Sequence, residues 1–339
     1  MDIMYTKEFL LTEINNIREE IGHEKANIFI EEIYFKNNEL WIITEDRPDK
    51  SAIIGKGGWV VGKLREKLGL DSIHVESYGD FLNRKYKLKL SKKTISNLDL
   101  DLVGIGNLEI AIDNKLENIY SFNFDTFFNE NAFDESSETE AVVALSGGVD
   151  SSFSLILAKK LGFNPKAVTV DPGTIILPKQ FKRNIKSVTQ SLDVEHEYIE
   201  ADYSDVVRES LNGSVHPCGR CSNNTGNLVK QYAKDNEIPI IVFGDMLATG
   251  SQCINLQEDS LYRLNLPASL SVGKQEIKSL IGNYDLKTFK GFGCPLLYEV
   301  HRKFPHMKKF SIQRILRETR SSALEPGEAL DLIWSFYKI

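Results

Sequence analysis

Residues 141–152 read AVVALSGGVDSS, an apolar run that ends in a glycine pair and leads into a helical pattern. This order predicts a buried strand, a tight turn and a helix. Glycines let the backbone approach a ligand closely, and the free N–H groups of a first helical turn attract an anion. The hydroxyls of Ser146, Ser151 and Ser152 can add hydrogen bonds to it. We therefore expect a phosphate-binding loop at residues 146–152.

Two features separate this loop from the common GxxxxGK[ST] type. No Lys follows the glycines, and Asp150 would repel a phosphate unless Mg²⁺ lay between them. The stretch instead resembles the PP-loop of the adenylating ATP-pyrophosphatases, whose signature is SGGxDS. The resemblance covers about residues 141–300 and implies binding of ATP and Mg²⁺, attack at the α-phosphate and release of pyrophosphate. It implies a catalytic role for Asp150 and ATP binding by Ser146, Gly147, Gly148, Val149, Asp150, Ser151 and Ser152.

Apolar runs alternate with helical patterns after the loop. Strands are predicted at 166–171, 195–200 and 238–243, and helices at 151–161, 179–192 and 222–235. Continuous apolar strands separated by helices indicate a parallel sheet covered on both faces. The predicted fold class is therefore α/β, a doubly wound parallel sheet that resembles the adenine nucleotide alpha hydrolase-like PP-loop domain. The resemblance implies that Val170 and Asp171 hold adenine, and that Gly244 and a catalytic Asp245 approach the activated substrate.

Three cysteines form a second pattern. Cys218 and Cys221 make a CxxC before a predicted helix, and Cys294 lies beyond the sheet. A helix N-terminus stabilises a thiolate, and Arg220 adds positive charge. Three thiolates suit an iron–sulfur cluster better than a closed zinc site, which usually takes four ligands. A cluster with three protein ligands leaves one iron open to exogenous sulfide.

The whole arrangement resembles thiolating PP-loop enzymes, among them 2-thiouridine and 2-thiocytidine synthetases of transfer RNA. The resemblance implies a [4Fe-4S] cluster held by Cys218, Cys221 and Cys294. In the similar 4-thiouridine synthetases a cysteine persulfide replaces the cluster, so sulfide on an open iron and a persulfide on Cys294 both remain possible donors. Cys253 has no motif around it and is expected in the core. His216 is an alternative fourth ligand, although a loop His is more often solvated.

A second glycine motif lies near the start of the chain. Residues 53–60 read IIGKGGWV, and this stretch resembles the GXXG loop of a KH domain, with a helix on each side and flanking strands. In KH domains that loop clamps single-stranded RNA. The resemblance implies RNA contacts from Gly55, Lys56, Gly57, Gly58 and Lys63. The predicted fold therefore includes an N-terminal α+β KH-like domain.

A basic stretch near the other end is a further candidate for RNA contact. Residues 301–320 read HRKFPHMKKFSIQRILRETR, a density of positive charge that suits a helix lying along phosphates, although many basic helices are only solvated faces. The candidates there are Arg302, Lys303, Lys308, Lys309 and Arg314, with Arg302 and Lys303 expected nearest the chemistry. The net charge of −7 argues against coating RNA with the whole surface. Residues 1–140 hold 17 Lys and Arg against 27 Asp and Glu, whereas residues 141–339 hold 24 against 21, which indicates local basic patches.

The 339 residues divide into three predicted regions. They are a KH-like RNA-binding domain at 1–80, a β-rich connecting region and linker at 81–139, and the PP-loop domain with C-terminal basic helices at 140–339. Strands predicted within 81–120 could pair between subunits, which leaves a homodimer open. Four cysteines are too few for a disulfide scaffold, the charged start lacks a signal-peptide pattern, and no run of about 18 apolar residues exists. A cytoplasmic protein without a membrane partner is expected.

The hypothesis that unites these patterns is ATP-dependent sulfur insertion into a nucleobase of RNA, with transfer RNA as the expected partner and sulfide or another sulfur donor as co-substrate. One alternative keeps adenylation but acts on a small molecule, either as a sulfur transferase or as an amidating ligase. Another is a catalytically inactive RNA-binding module. The KH-like motif disfavours the first alternative, and the intact SGGVDSS disfavours the second.

Overall fold

The computed structural model describes residues 5–98, 100–133, 139–248, 250–258, 260–287 and 292–337. The chain divides into two compact units. The first comprises Met1–Tyr86 and Glu117–Phe122, and the second comprises Lys87–Leu116 and Asn123–Ile339.

The first unit is a three-stranded sheet with helices. In chain order its elements are α1 (Lys7–Glu20), β1 (Ile30–Lys36), β2 (Glu39–Thr44), α2 (Arg47–Ile54), α3 (Trp59–Leu68) and β3 (Ser72–Ser77). The sheet order is β1-β2-β3, with β1 antiparallel and β3 parallel to β2. A two-residue turn at Asn37 and Asn38 joins β1 to β2, and both residues adopt the positive φ that such a hairpin turn requires. The core is formed by the apolar faces of the helices on one side of the sheet, with Leu10, Ile14, Ile53 and Leu64 fully buried.

The second unit is built on a six-stranded sheet of order β6-β5-β4-β7-β9-β8. Only β8 is antiparallel to its neighbour, and β4, which precedes the glycine loop, lies inside the sheet. The strands are β4 (Glu140–Ala144), β5 (Asn164–Asp171), β6 (His196–Glu200), β7 (Ile240–Phe243), β8 (Ile254–Glu258) and β9 (Leu261–Asn265). The helix α4 (Tyr78–Ser96) begins in the first unit and continues into the second. The helices that follow it in the chain are α5 (Val103–Glu117), α6 (Phe124–Glu130), α7 (Val149–Lys160), α8 (Lys179–Ser191), α9 (Ser204–Leu211), α10 (Pro217–Asp235), α11 (Leu266–Ser269), α12 (Lys274–Ile281), α13 (Pro295–Lys303), α14 (Lys308–Arg320) and α15 (Pro326–Ser335).

The prediction of a β-rich region at 81–139 is wrong, because its described residues are mainly helical. The alternation in KYKLKL resembles a strand. However, the buried residues Phe81, Leu88 and Ile95 are seven residues apart, which places them on one face of the helix α4. In α5 the buried positions Ile105, Leu108 and Ile112 follow the same helical period. The argument for a dimer through strands at 81–120 therefore has no basis in the structure.

The sheet extends beyond β7 through β9 and β8. One expectation about the cysteines needs correction. The CxxC does not precede a helix but lies inside it, since α10 begins at Pro217, a favoured first helical position. Among the described helices, none combines the length and the apolar character that crossing a membrane would require.

Candidate active site

A cavity of about 530 Å³ opens at the carboxyl ends of β4, β5 and β7. Its lining includes the glycine loop and all three patterned cysteines: Ser146, Gly148, Asp150, Ser151, Cys218, Cys221 and Cys294. The loop and the three thiols therefore line the same cavity. In parallel α/β sheets, ligands bind at this edge, where the turns after the strands face the same crevice.

The loop is shaped by Gly147, which adopts a φ of +73°. A Cβ there would lie 2.4 Å from the carbonyl oxygen of Phe181, so only glycine fits. The amide of Asn184 donates to the Gly147 carbonyl over 3.1 Å and fixes the turn. Inside the loop, the N–H of Ser146 donates to Ser151 Oγ at 3.1 Å, and the two hydroxyls lie 3.0 Å apart. The hydroxyls and first-turn amides thus form a polar wall suited to phosphate.

Asp150 is paired with a lysine that the sequence analysis missed. Lys274, the first residue of α12, lies 2.6 Å from each carboxylate oxygen of Asp150. The exposed fractions of the two side chains are 16% and 30%, so water screens the pair only partly. Lys274 therefore neutralises the one carboxylate in the loop, which by itself would repel an anion.

Replacing Lys274 with Met is expected to weaken ATP binding about tenfold, because the Asp150 carboxylate then faces the triphosphate without its partner. Adding Asp150→Asn to that variant should restore ATP affinity, although not turnover. Lys278→Met on the same helix is the control, because Lys278 pairs with Glu328 at the surface and should have no effect. Isothermal titration with ATP checks this, and equal affinity for wild type and Lys274→Met would show that the pair has no role in binding.

The three thiols are partly withdrawn from water. Burial, followed by the proximity of Cys294, raises the pKa of Cys218 to about 11 and that of Cys221 to about 12. Burial also raises the pKa of Cys294. Arg220 does not supply the expected positive charge, because its guanidinium pairs with Glu209. Arg314 on α14 is the cation that lowers the pKa of Cys218, and it lines the cavity.

The geometry of the thiols bears on which metal group they could hold. Within the described ranges, no three His, Cys, Asp or Glu side chains converge closely enough to bind a single metal ion. A cluster makes a different demand, because each cysteine binds a different iron and the sulfurs need not meet at one point. The three thiols that line one cavity match the number of protein ligands that a cluster with one open iron requires.

Several predicted ATP contacts lie away from the cavity surface. Among the described residues, Gly147, Val149 and Ser152 are not part of the lining, and the buried Ser152 hydroxyl has no hydrogen-bond partner there. Asp171 does not line the cavity either, because its carboxylate accepts from the N–H of Gly173 and pairs with Lys182. Val170, Gly244 and Asp245 do line it.

Asp245 has a neighbour that sequence reasoning missed. Arg263 Nη2 lies 2.5 Å from an Asp245 oxygen, and the guanidinium stacks on Phe243 at 4.1 Å from the ring centre. Arg263 is carried by β9, and all three side chains line the cavity. The alternating run LYRLN was the signal that could have predicted this strand and its arginine.

Of the basic residues predicted near the C-terminus, Arg314 is the one that the cavity lining includes. Arg302 pairs with Glu299 at 2.7 Å, and Lys308 donates to the carbonyl of Phe336. Lys309 lies over the ring of Phe310. Among the described residues that line the cavity, Arg314 of α14 is present, whereas Arg302 and Lys303 are not.

The two remaining sulfur-site candidates have structural surroundings. Cys253 is fully buried, as expected, and burial raises its pKa. His216 is the residue before α10, and its Nε2 lies 3.4 Å from the hydroxyl of Ser311. Ser311 also contacts the buried His301 at 3.1 Å. His216 is absent from the cavity lining, so the structure gives no support for it as a fourth ligand.

In the first unit, the GXXG stretch forms a turn between α2 and α3. Gly55, Gly57 and Gly58 all adopt positive φ. The next residue, Trp59, is 65% exposed, and Lys63 lies 3.5 Å from Glu20. The turn thus presents open backbone and an exposed indole.

The strand order and the glycine loop at the sheet edge fit a PP-loop-like α/β fold. No family model matches the chain. The chain belongs to the family of uncharacterized protein MJ1638 of Methanocaldococcus jannaschii, to which it is 33% identical over 245 residues, or 72% of this chain and 90% of that protein.

The chain is also similar to other proteins over smaller parts of its length. Uncharacterized protein MJ1599 of the same organism and the tRNA-specific 2-thiouridylase MnmA of Persephonella marina are each 27% identical. Each match covers 42% of this chain and about half, 51%, of the other protein. Among solved structures, the U34-tRNA thiolase NcsA of Methanococcus maripaludis, with its [4Fe-4S] cluster, is similar with a TM-score of 0.37 and 15% identity over 59% of this chain and 71% of that one.

Proposed function

We propose that this protein inserts sulfur into a nucleobase of RNA, with transfer RNA as the substrate class, in a reaction that consumes ATP. The observation that carries the proposal is the shared cavity of the phosphate loop and the three thiols. The sequence similarity to a tRNA-specific 2-thiouridylase supports the same reaction class. An ATP site alone would need no cysteines, and a cluster site alone would need no phosphate loop.

The reaction begins with ATP on the loop. The hydroxyls of Ser146 and Ser151 and the amides at the start of α7 hold the phosphates, and Mg²⁺ accompanies ATP as its usual counterion. Lys274 offsets the charge of the Asp150 carboxylate. The carbonyl oxygen of the base attacks the α-phosphorus, and pyrophosphate leaves. Hydrosulfide then attacks the ring carbon that carries the adenylated oxygen. A C–S bond forms, the C–O bond breaks, and AMP departs with the oxygen and the bonding electron pair.

Cys218, Cys221 and Cys294 would hold a [4Fe-4S] cluster whose fourth iron, free of protein ligands, supplies bound sulfide. The chain contributes three thiols, burial that keeps water away from the sulfur, and Arg314 as a cation beside Cys218. Loading the cluster releases the thiol protons, since metal ligands bind as thiolates. Anaerobic purification should therefore give a brown protein with about four irons per chain, and a single zinc would contradict the cluster assignment.

RNA binding is proposed for the first unit. The support is local: three glycines with positive φ in a turn between two helices, beside Lys56. Glycine carries no side chain, so a phosphate backbone can approach the N–H groups of this turn. Lys63 is shared with Glu20 and adds less charge than the sequence alone indicates.

Gly57→Asp should remove co-purifying RNA and raise the Kd for transfer RNA about tenfold, because it places a carboxylate where phosphates would lie. The matched control is Gly22→Asp. Gly22 also has a positive φ and open space around it but lies outside the turn. Filter binding at fixed salt measures both variants. Equal loss in the two would mean that backbone strain, rather than the turn's RNA contact, is responsible.

The function itself is tested by release of pyrophosphate. Bulk transfer RNA from cells that lack this gene should stimulate release from ATP at least tenfold, whereas free nucleosides and small thiol acceptors should not. Stimulation by small molecules without RNA would favour a small-molecule sulfur transferase or ligase. No release with any of these substrates would leave only an RNA-binding module.

A further inference from the structure

The cavity has one wall that neither the phosphate loop nor the thiols explain. Phe292, two residues before Cys294, lines it together with Arg314. Residues from three separate apolar clusters contribute to the lining of the cavity. Val170 and Cys221 belong to the first and Cys294 to the second, whereas Phe292 packs in the third against α14 and α15.

The Phe292 ring is held by aromatic and aliphatic contacts. It forms a T-shaped pair with Phe336, with ring centres 5.7 Å apart, and packs beside the buried Ile315. A ring that is anchored by such contacts and also lines a cavity can offer a π-surface at little entropic cost. That is the requirement of a platform on which a planar group stacks.

Arg314 completes this wall. Its Cζ lies 5.8 Å from the centre of the Phe292 ring, and its Nε meets Glu318 at 3.4 Å. The Arg314 side chain is 55% exposed, whereas that of Glu318 is only 10% exposed. The guanidinium therefore keeps donors that can turn to a ligand, and its fork suits the polar edge of a base.

We propose that Phe292 and Arg314 form the subsite for the base that receives sulfur, an inference that rests on the proposed function. The ring stacks on the base, and the guanidinium donates to its polar edge. RNA-binding proteins hold unstacked bases in this way, on aromatic and guanidinium planes. Adenine has its own apolar surface elsewhere, at Val168, Val170 and Leu177 near the end of β5. The position of Phe292 next to Cys294 puts the base beside the sulfur source.

The test compares Phe292→Leu with Phe292→Tyr. Leu keeps the apolar contact with α14 and α15 but removes the π-face, whereas Tyr keeps both. With bulk transfer RNA from cells that lack this gene, Leu should lower kcat/KM for RNA about tenfold or more, and Tyr less than threefold. Arg314→Lys, which keeps the charge but loses the planar fork, should lose about as much as Leu.

Three further readouts separate a base subsite from a structural role. The Kd for a non-hydrolysable ATP analogue, the iron content and the melting temperature should all stay near wild type in Phe292→Leu and Arg314→Lys. Unchanged kcat/KM in Phe292→Leu would overturn the inference, and so would a loss of ATP-analogue affinity or of iron that accounts for the defect. If the wild type shows no RNA-dependent pyrophosphate release, the proposed function fails and the inference with it; a normal wild type with a normal Leu variant defeats the inference alone.

Discussion

Cys294→Ala is expected to abolish thionucleoside formation, with a loss of at least about a hundredfold. Replacing even an outer partner of a metal ligand costs 10–100-fold, and Cys294 is proposed as a ligand itself. Its thiol lines the cavity with the phosphate loop. The other described thiols in that lining are those of Cys218 and Cys221, which are proposed as ligands themselves and so cannot replace it. Iron content should fall, while binding of the ATP analogue persists. Cys218→Ala and Cys221→Ala should behave in the same way.

Cys253→Ala is the matched control for all three. Cys253 is buried in the same unit but is absent from the cavity lining. Its replacement removes one buried sulfur and should cost about 1 kcal/mol of unfolding free energy, with iron and activity retained. Mass spectrometry of digested RNA quantifies the thionucleoside. A wild-type yield from Cys294→Ala would contradict the sulfur site.

Gly147→Ala is expected to have the second-largest effect, with loss of ATP binding by tenfold or more and about 2–4 kcal/mol of destabilisation. The new Cβ would lie 2.4 Å from the Phe181 carbonyl oxygen and 3.0 Å from its carbon, and backbone cannot yield as a side chain does. A φ of +73° also strains any residue with a Cβ. The turn would have to open, which would move the amides that bind phosphate.

The neighbouring glycine provides the comparison. Gly148 has an ordinary φ of −79°, and a Cβ there would come no closer than 3.4 Å to Ser146 Oγ. Gly148→Ala should therefore leave the free energy of unfolding within about 0.5 kcal/mol of wild type. Urea unfolding and titration with ATP measure both variants. If Gly147→Ala were as stable as Gly148→Ala, the strained turn would not be what shapes the loop.

The fold around the loop could be predicted because its signals are local. An apolar strand, a glycine pair and a helix follow one another in AVVALSGGVDSS, and the flanking strands are continuous apolar runs that only a parallel sheet buries on both faces. The same reasoning wrongly predicts strands within residues 81–117, where the structure has the helices α4 and α5. Short stretches such as KYKLKL alternate like a strand, and only the wider spacing of Phe81, Leu88 and Ile95 identifies the helix.

The candidate site was predictable in its motifs but not in its partners. The glycines and the paired cysteines can be recognised by their spacing in the sequence, whereas Lys274, Arg263 and Phe292 are single residues without a motif. Each reaches the cavity or the loop through tertiary packing: Lys274 from the start of α12, Arg263 from a strand that the sequence reading missed, and Phe292 beside Cys294. Local charge predicts that Arg314 contacts RNA phosphates, whereas in the structure its side chain lines the cavity.

The central claim, that one cavity adenylates a base and then replaces its oxygen with sulfur, is tested by following that oxygen. Transfer RNA whose base carbonyls carry ¹⁸O is incubated with ATP, Mg²⁺ and sulfide under anaerobic conditions, and AMP and thionucleoside are analysed by mass spectrometry. The account predicts one AMP bearing one ¹⁸O for each thionucleoside formed. Thionucleoside without AMP, or AMP without the label, would contradict it.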